Sequence, residues 1–289
     1  MSPSSLLQAA YLEIAEDTKF IRLAILTTLV HSLIFVFVLW YNISMMLDHV
    51  ESSGVKISQI LIYLRGIIPL DTLWWWGIGV GLILLIGNFI LPPVGEGAMI
   101  HYLQSSQKWS KSLSKGLGSF FPMFEYDGLI YRFSILVFLI FVSRLWILGV
   151  LSNPFVIVVL FLWLFIVLIV GFLTPYAKFA IVIEKLWVID GIQRSATLAI
   201  ENFSITFQFY IFNHILNIRF ILNIVILIGI PLVMMYVANT LWLLSNAWVT
   251  TLISGVIVAL IILIAYINSI IEAFFVNYRY KVYSQITQL

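Results

Sequence analysis

The sequence predicts an all-α polytopic membrane protein, and three observations carry that prediction. Of 289 residues, 62% are hydrophobic and only 10% charged, against roughly 25% charge in an ordinary soluble domain; the mean hydropathy is +1.09. Charge-free stretches recur along the chain, several reaching the roughly 20 apolar residues that a membrane-crossing helix needs, and about six such helices fit. Once these are laid across a bilayer, 12 of the 15 basic residues fall on one side, as the positive-inside rule requires.

The elements follow in order. Residues 1–20 form an amphipathic arm: Leu6, Leu7, Tyr11 and Ile14 share a helical face, and Ser5 with Gln8 has capping-box spacing after Pro3. Residues 21–275 form one transmembrane domain. No Asp, Glu, Lys or Arg interrupts 23–47 or 72–95, and a charge at the bilayer centre costs at least about 2.5 kcal/mol, so the first two spans lie near 23–41 and 73–91. Between them, Ile57, Ile60, Leu61 and Leu64 mark a short outer amphipathic helix.

The apolar run 133–177 is interrupted only by Arg144, and Ser152-Asn153-Pro154 is a turn signal that divides it into spans near 130–151 and 155–174. The run 220–271 is too long for one helix. Asn239-Thr240 and Ser245-Asn246 break it into spans near 220–238 and 249–271, and residues 276–289 form a tail. The charge bias then places both termini in the cytoplasm of a cell carrying this multi-pass protein in its plasma membrane, and only an even number of spans preserves that bias.

Two cytoplasmic loops carry amphipathic helices suited to the membrane interface. In the second loop Trp109, Leu113, Leu117, Phe120 and Phe121 form an apolar side, and Lys108, Lys111 and Lys115 lie opposite, where anionic headgroups would meet them. The other reading of this helix is a solvated one packed on the bundle. In the fourth loop Ile189, Ile192, Ala196, Ala199, Ile200 and Phe203 form the stripe, with Asp190, Arg194 and Glu201 on the far side and Asp190–Arg194 an i,i+4 surface ion pair. The two loops hint at an internal repeat in loose register. Pro93 and Pro175 match at an offset of 82, Leu113-x-x-Gly116 and Ile192-x-x-Ser195 at 79.

The segments Val94-Gly95-Glu96-Gly97-Ala98 with Ser112-Leu113-Ser114-Lys115-Gly116-Leu117, and Ala177-Lys178-Phe179-Ala180 with Gly191-Ile192-Gln193-Arg194-Ser195-Ala196, resemble the six-helix bacterial and archaeal membrane proteins that include the membrane domain attached to some glycerophosphodiester phosphodiesterases. The resemblance covers roughly residues 90–215. It implies a fold and no catalytic residue, because the hydrolytic chemistry of that family sits in a separate soluble barrel.

Candidate chemistry is sparse. His31, in the first span beside Thr27 and Thr28, is either a proton-relaying or ligand-binding group at a helix interface or a neutral histidine hydrogen-bonded to a neighbour. Arg144 either snorkels to the outer headgroups or pairs with Asp48 or Glu51, and Glu272, ending the sixth span, either ties helices together through Lys185, Arg219 or Arg279 or serves as a transport carboxylate. No cysteine is present, which excludes disulfides and thiolate chemistry. The four histidines are scattered, so no metal or cofactor is expected, and a net charge of +2 does not favour nucleic acid.

Three functions fit: a non-enzymatic scaffold, assembly factor or accessory subunit of a larger membrane complex; a permease or channel for a small solute or lipid; and a lipid-acting enzyme. The spans hold few polar groups from which a pathway could be built, which favours the first. Its expected partners are anionic lipid headgroups and other membrane subunits or a second copy.

Overall fold

The computed structural model describes residues 3–17, 19–30, 70–105, 108–217 and 247–287, with isolated positions at 32, 34, 226, 230, 233, 234 and 237. His31, the outer helix around Ile57–Leu64 and most of the fifth span, 220–238, lie outside the described residues. Among those described the chain is all-helical and contains no strand. The helices are α1 (Pro3–Glu16), α2 (19–30), α3 (Leu70–Ser105), α4 (Trp109–Gly118), α5 (Phe120–Ile130), α6 (Ile135–Ile147), α7 (Pro154–Leu173), α8 (Ala177–Ile183), α9 (Val188–Glu201), α10 (Phe203–Asn217) and α11 (Ala247–Thr287).

Among the described residues, three stretches are long and apolar enough to cross a membrane: Gly81–Ser105, Pro154–Ile183 and Ala259–Thr287. The clearest is α7, whose 20 residues include no charge and rise about 30 Å, the thickness of the hydrocarbon layer. Its side chains point outward almost all round, with Phe155, Phe161 and Phe165 all exposed. That is costly in water and favourable in lipid. The predicted turn starts it: Asn153 Oδ1 accepts the Phe155 N–H at 3.0 Å, and Pro154 occupies the first turn, where no amide donor is needed. It packs against α6 through Phe138, Leu160 and Val167, with Trp163 edge-on to Phe138 and Phe141. Helix α6 has only 13 residues before the left-handed Gly149 ends it.

Two helices outrun their expected ends. The second span continues through Pro92 and Pro93 to Ser105 as one helix, although two prolines remove two backbone donors. Tertiary contact compensates: Val94, Ala98, Met99 and Ile100 just beyond the prolines are buried. The sixth span likewise runs unbroken to Thr287, so residues 276–287 are no free tail. Val276, Val282 and Tyr283 are buried in the main core. Helix α1 lies against this end of α11 through Leu6, Ala10 and Ile14; Leu6 and Ile14 belong to the predicted stripe, but Ala10 is buried in place of Tyr11, which stays outside. Asn277 Nδ2 donates to the Ala10 carbonyl at 3.3 Å, and Lys281 Nζ meets Glu13 Oε2 at 2.7 Å.

The main core therefore gathers both ends of the described chain and the loop helices around the ends of the long apolar helices. Two hairpins build it, α3 with α4 and α8 with α9. Each closes on a small residue in the second helix. A Cβ on Gly116 would overlap the Val94 carbonyl and stand 2.7 Å from the Ala98 amide nitrogen; one on Gly191 would stand 2.5 Å from Ile181 Cγ1. The second hairpin turns through Lys185, held at φ 57°, a left-handed position where side chains cost about 1 kcal/mol or more.

Gly116→Leu and Gly191→Leu are each expected to destabilise the protein by about 1–3 kcal/mol through overpacking, whereas Lys185→Gly is expected to stabilise it by about 1 kcal/mol. Denaturation of the three variants in detergent checks this; unchanged midpoints for both leucine variants would refute the close crossings.

Candidate functional site

The most distinctive chemistry joins the two hairpins. Lys178, in the first turn of α8, directs its ammonium between two acids from the other half: an ion pair with Glu96 of α3 and one of 2.8 Å with Asp127 of α5. Glu96 and Lys178 each stand three residues after a proline, Pro93 and Pro175, so they are 82 residues apart. The side chains of Lys178 and Glu96 are 18% and 13% exposed, too little for water to solvate either charge alone, so each needs the other. Glu272 and Arg279, seven residues apart on one face of α11, are near enough to act electrostatically on Glu96.

Hydroxyl groups fix the surrounding backbone. Helices α7 and α8 are separated by Thr174–Tyr176, and Ser195 of α9 spans that break: its Oγ donates to the Leu173 carbonyl at 2.8 Å and accepts the Tyr176 N–H at 3.0 Å. Tyr126 Oη donates to the Thr174 carbonyl at 3.1 Å, and burial pushes its phenol pKa up, so it remains a donor. The Lys178 ammonium lies 5.6 Å from the Tyr126 ring centroid.

A cavity of about 150 Å³ opens beside this network, between the end of α7, the start of α8, α10 and α11. Tyr126, Gly171, Lys178, Tyr210, Asn213 and Arg279 are among its walls. Arg279 lies within cation–π distance of two rings, its guanidinium carbon 5.5 Å from the Phe275 ring centroid and 5.9 Å from that of Phe209, and Nη2 donates to Asn213 Oδ1 at 3.1 Å. Behind Tyr210, His214 sits edge-on at 4.4 Å, and burial pushes its pKa down, keeping it neutral near pH 7.

The sequence-predicted residues are distributed differently. Arg144 lies in the last turn of α6, away from this network, and Glu272 lies beside it. The expected Asp190–Arg194 pair is replaced: Arg194 Nε meets Glu184 Oε2 at 3.4 Å, while Asp190 is exposed. Glu184, at the end of α8, also accepts the Tyr283 hydroxyl, so it is the better-anchored acid. Lys108, Lys111 and Lys115 all stand exposed on α4. The most buried positions of α4 are Ser112 and Gly116, at the edge of the apolar stripe; Leu113 of the stripe packs on the main core, and Trp109, Leu117 and Phe121 stay outward. Helix α9 behaves alike. Val188, Gly191, Ser195, Leu198 and Ala199 face inward, and Ile189, Ile200 and Phe203 remain exposed, about a quarter-turn away.

The Lys178 network was missed because its members are far apart in sequence. One signal was available: acids and a lysine beside Pro93 and Pro175, at the ends of apolar spans. Among the described residues no group of histidines or acids has metal-binding geometry. Compared with known proteins, the chain matches no family model, no curated protein and no solved structure.

Lys178→Met is expected to cost about 3–5 kcal/mol, because it strands the Glu96 carboxylate. Adding Glu96→Gln should recover much of that loss, since Asp127 is exposed enough to hydrate. Denaturation of the single and double variants tests the coupling, and additive losses would refute it.

Proposed function

We propose that this protein is a non-enzymatic integral membrane scaffold or accessory subunit, with about six spans, both termini in the cytoplasm of the plasma membrane, and the charged helical layer as its working face. The observation that carries the reading is how the charged groups of that layer are used. Lys178 with Glu96 and Asp127, Arg194 with Glu184, and Lys281 with Glu13 join separate elements to one another. Charges committed to holding helices together favour a fixed platform over a solute path.

The flanks of α4 and α9 are the surface such a platform offers. Both leave an apolar strip outward beside a charged face, the arrangement suited to the headgroup region or to the helix of a neighbouring subunit. In this reading the two hairpins, each closed on a small residue, are the units of the internal repeat.

Extracted in native nanodiscs, the protein is expected to carry a membrane protein partner in fixed stoichiometry. A particle containing this chain alone, passing solute in reconstituted vesicles and losing that flux on His31→Ala, would overturn the reading in favour of a permease. For the lysine face, replacing Lys108, Lys111 and Lys115 with Gln is expected to weaken attachment to anionic bilayers by about 1 kcal/mol per lysine. Surface binding of α4 peptides to vesicles measures this, and equal binding of the two sequences would refute it.

A further inference from the structure

The cavity beside Lys178 has features that the scaffold reading does not use. Arg279 Nε is buried and has no hydrogen-bond partner among the described residues, an uncommon state for a charge-bearing donor and one that calls for a missing acceptor. Its guanidinium is nonetheless positioned, within cation–π distance of the Phe209 and Phe275 rings and tied by Nη2 to Asn213. On the same cavity wall, Lys178 spends two donors on Glu96 and Asp127; an ammonium has three. Among the described residues the walls carry these two cations, two phenols, a threonine hydroxyl and an amide, and the neighbouring carboxylates, Glu96 and Asp127, are engaged by Lys178.

Its depth narrows the ligand class. Helix α7 accounts for about 30 Å of lipid-facing apolar surface and ends at Leu173. Gly171, Thr174 and Lys178 line the cavity where that helix ends; a bilayer whose hydrocarbon layer is matched to α7 would bring its phosphates near this level. At about 150 Å³ it has room for several water-sized groups, enough for a phosphate and its immediate substituent.

We propose that this cavity binds a phosphate-bearing anion at headgroup depth, with the Arg279 guanidinium as the principal donor, Lys178 as the second cation, and Tyr210 and Asn213 as walls. Arg supplies a planar fork that matches phosphate oxygens, and its ties to Asn213 and to two nearby rings mean little freedom is lost on binding. The phosphate belongs either to an anionic phospholipid or to a soluble phosphate compound.

The full-length protein, delipidated in detergent, is titrated with dihexanoyl-phosphatidylglycerol, dihexanoyl-phosphatidylcholine and inorganic phosphate while its thermal unfolding is followed, since a ligand of the native state raises the midpoint. Stabilisation by phosphatidylglycerol well above that by phosphatidylcholine assigns the site to an anionic lipid; stabilisation by inorganic phosphate assigns it to a soluble phosphate compound. Either supports the proposal if Arg279→Gln weakens the response about tenfold or more. Should that variant fail to fold, Asn213→Asp decides: it keeps a partner for Arg279 but places a carboxylate in the wall, and the same loss is expected. No stabilisation by any of the three probes, or a full response in Asn213→Asp, would overturn the proposal.

Discussion

The bundle is organised around one buried cation. Lys178 leaves the end of a long apolar helix and finds Glu96 and Asp127, carried by two helices from the other half of the chain. At that depth neither sign can be left alone, because desolvating an unpaired charge costs several kcal/mol. The pair thus specifies which helix ends meet and in what register. Ser195, Tyr126 and Thr174 then secure the backbone around it with hydrogen bonds near 3 Å, and the core of α1, α9, α10 and α11 closes over the same level.

The second constraint is how closely the helices approach. Where lipid surrounds a protein, apolar side chains gain little by turning inward, and helices associate through small residues and polar contacts. The loop helices obey that rule: Ser112 and Gly116 of α4, and Gly191 and Ser195 of α9, occupy the crossings, while larger apolar side chains beside them stay outside. Ion pairing and small-residue crossings act together. The crossings bring the hairpins near enough for the charges to meet, and the charges select one arrangement of the hairpins.

Much of the architecture was legible in residue order. The outward-facing apolar helix over 154–173 follows from an uninterrupted apolar run behind Asn153-Pro154, and of the face read for the N-terminal arm Leu6 and Ile14 are buried, whereas Tyr11 is exposed and Ala10 takes its place. Other features were not legible. Pro93 reads as a helix stop, but packing of the residues after it carries α3 on to Ser105. Arg194 reads as the partner of Asp190 four residues away, yet Glu184, placed by the reversal at Lys185, takes it. Nor does Arg279 announce that two aromatic rings lie near it beside a cavity, because Phe209 lies seventy residues earlier.

By itself, then, the sequence determined an all-helical membrane protein, the positions of its strongest apolar helix and its loop helices, and the charge bias from which an orientation is inferred. These properties are sums over neighbouring residues, and hydropathy and periodicity register them directly. The tertiary structure alone decided which face of α4 and α9 turns inward, which acids hold Lys178 and Arg194, and where a cationic cavity opens. Those outcomes depend on the distance between backbones far apart in the chain and on the cost of leaving a buried charge unpaired, and neither can be expressed as a local pattern.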